Sequence, residues 1–128
     1  MKAILDTSVL IAQQPLPAGL DAGISTVSLS ELYFGLLKTA DPDERVQRAA
    51  RLRRIESGFK AHALDHRVAR TLGQLQAAVA NRGANPRRHT ADLAIAATAI
   101  VHEAVLLTNN RRDFKLIEDM VEVRKPPV

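Results

Sequence analysis

Three acidic residues stand at the edges of hydrophobic segments in this chain of 128 residues. Asp6 ends a short apolar run, Glu31 follows the segment 27–30, and Asp92 precedes the almost entirely apolar segment 93–97. A carboxylate beside a hydrophobic element loses hydration, which costs free energy unless the group is paired or binds a metal. Three such acids on three separate segments therefore predict one oxygen-lined site for a hard divalent cation, a kind of site that acts on phosphates.

Each acid also has an ordinary structural explanation. Asp6 could cap a helix that begins at residue 7 or 8, and Glu31 could complete a capping box with Ser28. Asp92 could complement a helix dipole, and Asp113 could be a solvated loop acid. A shared site is absent only if all four of these explanations are correct at once. Such a coincidence is improbable, so a shared site is favoured.

Short apolar segments alternate along the chain with segments of helical periodicity. Apolar runs predict strands at 2–5, 23–27, 61–64, 104–107 and 121–123. Helical periodicity and capping residues predict helices at 8–14, 28–38, 42–57, 66–82 and 90–102, with Ser28, Asp65 and Thr90 among the N-caps. This alternation predicts a single α/β domain over residues 1–128, with a mainly parallel central sheet flanked by helices.

The predicted fold brings the acids to one place. In open α/β sheets, ligands bind beyond the carboxyl ends of the strands. Asp6 ends the first predicted strand, and the segment 108–113 follows the strand at 104–107. We expect Glu31 and Asp92 in the first turns of helices, where the helix dipole favours carboxylates. Four elements can therefore contribute to one crevice.

The chain is basic, with a net charge of +4 and an isoelectric point near 10.0. Such a balance suits a polyanionic partner. Arg87 and Arg88 lie just before Asp92, which favours contact with substrate phosphates. A further arginine cluster at 45–54 is equally consistent with a solvated helix face.

Composition excludes several other classes of site. Without cysteine the chain has no disulfide, no thiolate zinc site and no Cys nucleophile. No apolar stretch approaches the ~20 residues needed to cross a bilayer, and we expect a cytoplasmic protein with no membrane partner. His62 and His66 lack a third zinc-type ligand nearby, which favours a surface or packing role. His102, near a predicted helix end, is expected to be favoured by the helix dipole.

Four motifs occur in an order and spacing that resemble PIN-domain ribonucleases, and specifically the VapC-like toxins of bacterial type II toxin–antitoxin pairs. The motifs are residues 3–11, 28–32 followed by Gly35, 92–97 and 107–114. The resemblance extends from residue 3 to about residue 124. It implies an endoribonuclease dependent on Mg²⁺ or Mn²⁺ that cleaves RNA, forms a homodimer and is neutralised by a cognate antitoxin.

The resemblance also assigns roles to individual positions. Asp6, Glu31 and Asp92 match the three core acids of the family. The fourth acid is expected to be Asp113, with Asn110 as the alternative. The residues expected to support these acids are Thr7, Ser8 and Thr108. The residues expected to bind RNA are Arg87, Arg88, Arg111 and Arg112.

The predicted helices 28–38 and 43–57 carry more apolar residues than one core face needs. The candidate antitoxin groove consists of Leu32, Tyr33, Leu36, Leu37, Leu52 and Ile55. Plain core packing is the alternative for these residues.

Two other functions remain open at this point. One is a catalytically silent PIN-like module that binds nucleic acid or antitoxin, whose signature would be a lost acid; none is lost. The other is an α/β phosphotransferase with Asp6 as its nucleophile, which would want a second acid close by, whereas position 8 is Ser8.

Overall fold

The computed structural model describes residues 1–127 and contains a five-stranded sheet in the order β3-β2-β1-β4-β5. The strands are β1 (Lys2–Leu5), β2 (Asp21–Ser25), β3 (Lys60–His62), β4 (Val105–Leu107) and β5 (Val123–Arg124). Every pairing is parallel, which confirms the predicted α/β architecture with a parallel sheet. Within the described range, no helix has the length and apolar character required to span a membrane.

Five α-helices and two 3₁₀ helices connect the strands. The α-helices are α1 (Thr7–Ala12), α2 (Thr26–Lys38), α3 (Pro42–Gly58), α4 (His66–Asn81) and α5 (Thr90–Val101). The first 3₁₀ helix is Pro86–His89 and the second is Arg111–Ile117. Asp65 caps α4 as predicted, because its carboxylate accepts a hydrogen bond of 3.1 Å from the backbone N–H of Val68.

The predicted N-caps of α2 and α5 were wrong. Ser25, not Ser28, is the N-cap of α2, and its hydroxyl accepts a hydrogen bond of 3.1 Å from the N–H of Val27. Glu31 therefore lies in the second turn of α2, outside the first turn where the dipole acts most strongly. Thr90 is the first residue of α5 rather than its cap, because the first 3₁₀ helix runs directly into α5.

The short edge strands also differ from their predicted bounds. The strand predicted at 61–64 is Lys60–His62, and the one predicted at 121–123 is Val123–Arg124. Val121 is instead a buried core residue outside the strand. A run of apolar side chains indicates burial, but it does not fix which residues form the ladder.

The sheet has a hydrophobic cluster on each face. In β1, Ile4 belongs to one cluster, while Ala3 and Leu5 belong to the other, because successive side chains of a strand point to opposite faces. Helices α4 and α5 and the second 3₁₀ helix cover the Ile4 face, and α1, α2 and α3 cover the opposite face. Phe114 is buried in the Ile4 cluster and anchors the second 3₁₀ helix.

This packing corrects half of the predicted antitoxin groove. Leu32, Leu52 and Ile55 are buried members of the core on the α1–α3 face, which favours the alternative of core packing for these three residues. Leu36 is partly buried against the same core. Tyr33 and Leu37 remain exposed, with 43% and 66% of their surface accessible.

His62 and His102 form a pair of neighbouring rings beside β2. A Cβ atom at Gly23 would lie 2.7 Å from Nε2 of His62, so glycine is the residue that lets this ring cross the strand. The His62 ring lies 4.0 Å from the ring of His102, centroid to centroid. Burial lowers the pKa of both histidines, and nearby cations including Lys2 lower it further. His102 is the C-cap residue of α5, near a helix end as predicted, but burial and the nearby cations lower its pKa.

We expect acid to destabilise the native protein more than a His102→Asn variant. Because the pKa of each histidine is lowered by folding, the unfolded chain takes up protons more readily below pH about 6.5. The stability that comes from the neutral pair is present above that pH and is lost as the pH falls below it. The difference should be less than about 1 kcal/mol, since solvent reaches both rings. Thermal melts at pH 7.5 and pH 5, with His66→Asn as the control, measure it. An equal loss in the native protein and in His102→Asn would contradict the assignment.

Candidate active site

Asp6 is fixed at the point where the two central strands end. Its backbone N–H donates a hydrogen bond of 2.8 Å to the carbonyl of Leu107, and only 5% of its surface is accessible. The hydroxyl of Thr108 donates to Oδ2 at 2.7 Å, and that of Ser8 donates to the same oxygen at 2.9 Å. Among residues 1–127, none donates to Oδ1, which stays available to another ligand. Asp6 occupies the N-cap position of α1, but its side chain makes no capping bond, so capping does not explain it.

The loop after β4 is built to hold Thr108 and Ser8 in place. The Thr108 hydroxyl accepts a hydrogen bond of 2.9 Å from the N–H of Asn110 while it donates to Asp6. Asn109, which the sequence analysis missed, donates its N–H to the Ser8 hydroxyl at 3.0 Å. Its amide donates to the Ser8 carbonyl at 3.3 Å and to Oε1 of Gln14 at 2.6 Å. Asn109 therefore ties this loop to α1; a polar residue directly after a buried strand was the available signal.

Glu31 is oriented by a second hydroxyl network. It is exposed on α2, and Thr7 donates a hydrogen bond of 2.7 Å to its Oε1. The same Thr7 oxygen lies 2.9 Å from the hydroxyl of Ser28, which is buried. The capping-box explanation for Glu31 and Ser28 is thus wrong. Both residues instead join α2 to the start of α1.

Asp92 is the point at which the acids converge. It is half-buried in the first turn of α5. Burial raises the pKa of Asp92 to about 7, with further increases from the charges of Asp6, Asp113 and Glu31, in that order. A favourable helix dipole alone would lower this pKa, so dipole complementarity does not explain Asp92. Asp113 is exposed in the first turn of the second 3₁₀ helix.

No internal cation neutralises these acids. The ion pairs within residues 1–127 join Arg48 to Glu44, Arg82 to Asp119 and Arg124 to Glu122. Asp6, Glu31, Asp92 and Asp113 are in none of them, although the chain carries a net charge of +4. Their mutual repulsion therefore awaits a cation from outside the protein.

The chemistry of the donor set fits a hard divalent ion. The four acids offer only carboxylate oxygens, and the chain has no cysteine thiolate; such a donor set suits Mg²⁺ or Mn²⁺. As the side chains stand, residues 1–127 hold no group of three acids or histidines at the spacing of metal ligands. Glu31 and Asp113 are exposed, and Glu31 accepts one hydrogen bond from Thr7, whereas Asp6 is buried and accepts two. Closing around an ion would therefore require mainly the two exposed acids to move.

The basic residues singled out from the sequence lie on the elements that carry two of the acids. Arg87 and Arg88 are exposed on the first 3₁₀ helix, directly before α5, and Arg111 and Arg112 are exposed on the second. Arg112 lines a pocket of about 250 Å³ together with Asp113 and His89. Arg87, Arg88 and Arg111 do not line it.

Removing the charge of Asp92 should stabilise the metal-free protein at neutral pH. The pKa of Asp92 is raised from 3.8 to about 7, so its contribution to stability is fully present below pH 3.8 and is lost as the pH rises through 7. An Asp92→Asn variant should lack this loss. At pH 8 the free energy of unfolding of Asp92→Asn should exceed that of the native protein by on the order of 1–2 kcal/mol, after allowance for solvent screening.

Urea unfolding in EDTA between pH 4 and pH 8 measures this difference. Glu103→Gln is the matched control, because Glu103 is exposed and lies just before the amino end of β4, opposite the acids. A native protein and an Asp92→Asn variant with parallel pH profiles would show that the acids do not repel one another as argued.

Comparison with known proteins agrees with this geometry. The PIN domain family matches residues 3–119 of the chain. Ribonuclease VapC4 of Mycobacterium tuberculosis is 29% identical over 125 residues, with 93% of each chain covered. A chain of VapBC-5, from the VapBC family of toxin–antitoxin systems of Mycobacterium tuberculosis, is 31% identical with a TM-score of 0.82, covering 99% of this chain and 98% of that one.

A more distant structure shows the fold alone. A chain of VapBC2 from Rickettsia felis, in a crystal structure with a DNA fragment from their promoter, is 22% identical with a TM-score of 0.76 and covers 98% of each chain. The family match spans most of the chain and includes Asp6, Glu31, Asp92 and Asp113. The resemblance inferred from the four motifs is therefore confirmed, and the chain belongs to the PIN-domain family.

Proposed function

We propose that this protein is the toxin of a type II toxin–antitoxin pair and acts as an endoribonuclease that depends on Mg²⁺ or Mn²⁺. The observation that carries the proposal is the convergence of three other acids on the half-buried Asp92, with no internal cation to balance them. Its similarity to a VapC ribonuclease supports hydrolysis of RNA. Its similarity to a member of the VapBC family supports neutralisation by a cognate antitoxin. A cytoplasmic location stays a prediction from the sequence.

In this proposal the acids divide into two kinds of ligand. Asp6 and Asp92 bind the ion directly, and Glu31 and Asp113 bind it directly or through water. When bound, the divalent ion supplies an activated water and neutralises charge on the departing oxygen. Ser8 and Thr108 donate to one oxygen of Asp6 and so direct its other oxygen towards the ligand.

The remaining polar groups position the acids and the substrate. Thr7 holds Glu31 by a hydrogen bond that leaves one carboxylate oxygen for the site. Arg87, Arg88, Arg111 and Arg112 are proposed to bind RNA phosphates, because they are exposed on the elements that carry Asp92 and Asp113. Without a cation the acids would repel an RNA phosphate, so binding of metal and substrate are linked.

The two rival functions are less well supported. A catalytically silent module would not need two hydroxyl networks aimed at carboxylates, yet Thr7, Ser8 and Thr108 make them. A phosphotransferase with Asp6 as nucleophile would want a second acid near it on the same loop. Position 8 instead supplies a hydroxyl that donates to Asp6.

For the antitoxin we propose a surface on α2 that retains only the exposed part of the predicted groove. Tyr33 and Leu37 are 43% and 66% accessible, and Phe34, which the sequence analysis missed, is 64% accessible. Exposed apolar side chains on one helix suit an amphipathic partner segment. Homodimer formation stays a prediction from the resemblance.

Replacing Asp6 with Asn should abolish RNA cleavage while the protein stays folded. The change removes one charged ligand and lowers the rate by at least roughly a hundredfold, because the ion loses its most rigid ligand. Cleavage of total RNA by antitoxin-free protein, titrated with Mg²⁺ and Mn²⁺, measures it.

Asp21→Asn is the matched control, because Asp21 is exposed at the amino end of β2, away from the acids. Native protein that cuts no RNA at any metal concentration would overturn the proposed function. Full activity of Asp6→Asn at saturating metal would overturn only the role of Asp6.

A comparison of Asp113 with Asn110 tests the fourth ligand. Asp113→Ala should raise the Mg²⁺ concentration for half-maximal activity by about tenfold, and high metal should partly rescue it, because a charged ligand is lost. Asn110→Ala should instead lower the rate at saturating metal, since an amide acts through the geometry of the loop. A shifted titration for Asn110→Ala together with an unshifted one for Asp113→Ala would reverse the assignment.

A further inference from the structure

A groove leaves the acidic site between α1, α2 and α3. It has a volume of about 730 Å³, and Thr7 and Glu31 line it together with residues of α3. Thr7 donates a hydrogen bond to Glu31, and both residues belong to the proposed active site, so the groove opens directly from that site. A polymer with one phosphate at the acids would have its neighbouring phosphates within or beside this groove.

The α3 wall of the groove contains three arginines with different partners. Arg48 forms an ion pair with Glu44 and donates a hydrogen bond of 2.9 Å to the carbonyl of Gly35, so it serves the packing of α3 on α2. Arg51 makes no hydrogen bond or ion pair with another residue of the range 1–127. Arg54 donates a hydrogen bond of 2.7 Å to Oε1 of Gln13, a neutral group. Arg51 and Arg54 therefore bring two uncompensated positive charges to the groove.

We propose that Arg51 and Arg54 bind backbone phosphates of the RNA strand where it runs from the acidic site along α3. This inference rests on the proposed ribonuclease function and extends it to residues that neither the motifs nor the family match singles out. Guanidinium groups form paired hydrogen bonds with phosphates and remain charged at all working pH values. The groove thus separates two members of the arginine cluster at 45–54 from the rest, which are solvated or structural.

The alternative occupant is a segment of a protein partner. The groove also contains Ile11 and Val46, which are 50% and 69% accessible and could contact either kind of ligand. The two uncompensated arginines favour a polyanion, and the groove reaches Glu31, a proposed ligand of the ion that would bind the RNA phosphate. The charges of the groove therefore favour RNA over a protein segment as its ligand.

The test measures how binding depends on salt. Labelled single-stranded RNA of random sequence is titrated with Asp6→Asn protein in Mg²⁺ at several salt concentrations. Random sequence is suitable because interactions with the backbone carry no sequence information. Removing one arginine–phosphate interaction should reduce the slope of log K against log salt by about 0.7. We expect this reduction of the slope in Arg51→Gln and, separately, in Arg54→Gln. Each variant should also bind the random-sequence RNA less tightly than the parent protein.

Arg53→Gln is the control, since Arg53 lies on the same helix and carries the same charge but does not line the groove. A comparable reduction of the slope in all three variants would attribute the effect to net charge and overturn the proposal. Unchanged slopes for Arg51→Gln and Arg54→Gln would also overturn it and leave the groove to a protein partner. Thermal melts confirm that each variant is folded. The proposed function fails separately, if the native protein cuts no RNA.

Discussion

The structure of the site depends on the hydrogen bond from Thr108 to Asp6. It is 2.7 Å long, is buried, and joins residues 102 positions apart in the sequence. Because β1 and β4 are neighbours in the sheet, the residues that follow them meet at the same edge. The bond occupies Oδ2 of Asp6, and no residue among 1–127 donates to Oδ1, which stays available to another ligand. Since Asp6 is almost fully buried, the orientation is rigid, and the other acids must arrange themselves around it.

Helix α1 carries the hydroxyls for two separate acids on consecutive residues. Adjacent residues of an α-helix point about 100° apart around its axis. Thr7 therefore faces Glu31 on α2, while Ser8 faces Asp6 and the loop after β4. A helix of only six residues is sufficient for this, because its task is to aim two side chains rather than to build core. Its two buried residues, Val9 and Leu10, hold it against the sheet.

The sequence predicts the acids better than the elements that hold them. Asp6 and Asp92 could be placed because a charge beside a long apolar run is conspicuous, and a parallel sheet sends strand ends to one edge. The start of α2 could not be resolved between Ser25 and Ser28, since either serine can cap a helix and the choice depends on where β2 stops pairing. The core role of Leu32 and Leu52 was equally hidden. Which face of an amphipathic helix meets the sheet is fixed by packing between distant segments.

The arginines of α3 show why net charge alone says little about binding. Arg48 has the same formal charge as Arg51. Its guanidinium group is already paired with Glu44 and donates a hydrogen bond to the carbonyl of Gly35, so it contributes to packing. Arg82 and Arg124 are likewise paired with Asp119 and Glu122, which are not among the acids of the site. The acids of the site form no such ion pair within residues 1–127, although Arg112 lines a pocket together with Asp113. The acids of the site and the arginines of the groove therefore do not pair with each other. A metal cation can bind the acids, and a polyanion can bind the arginines.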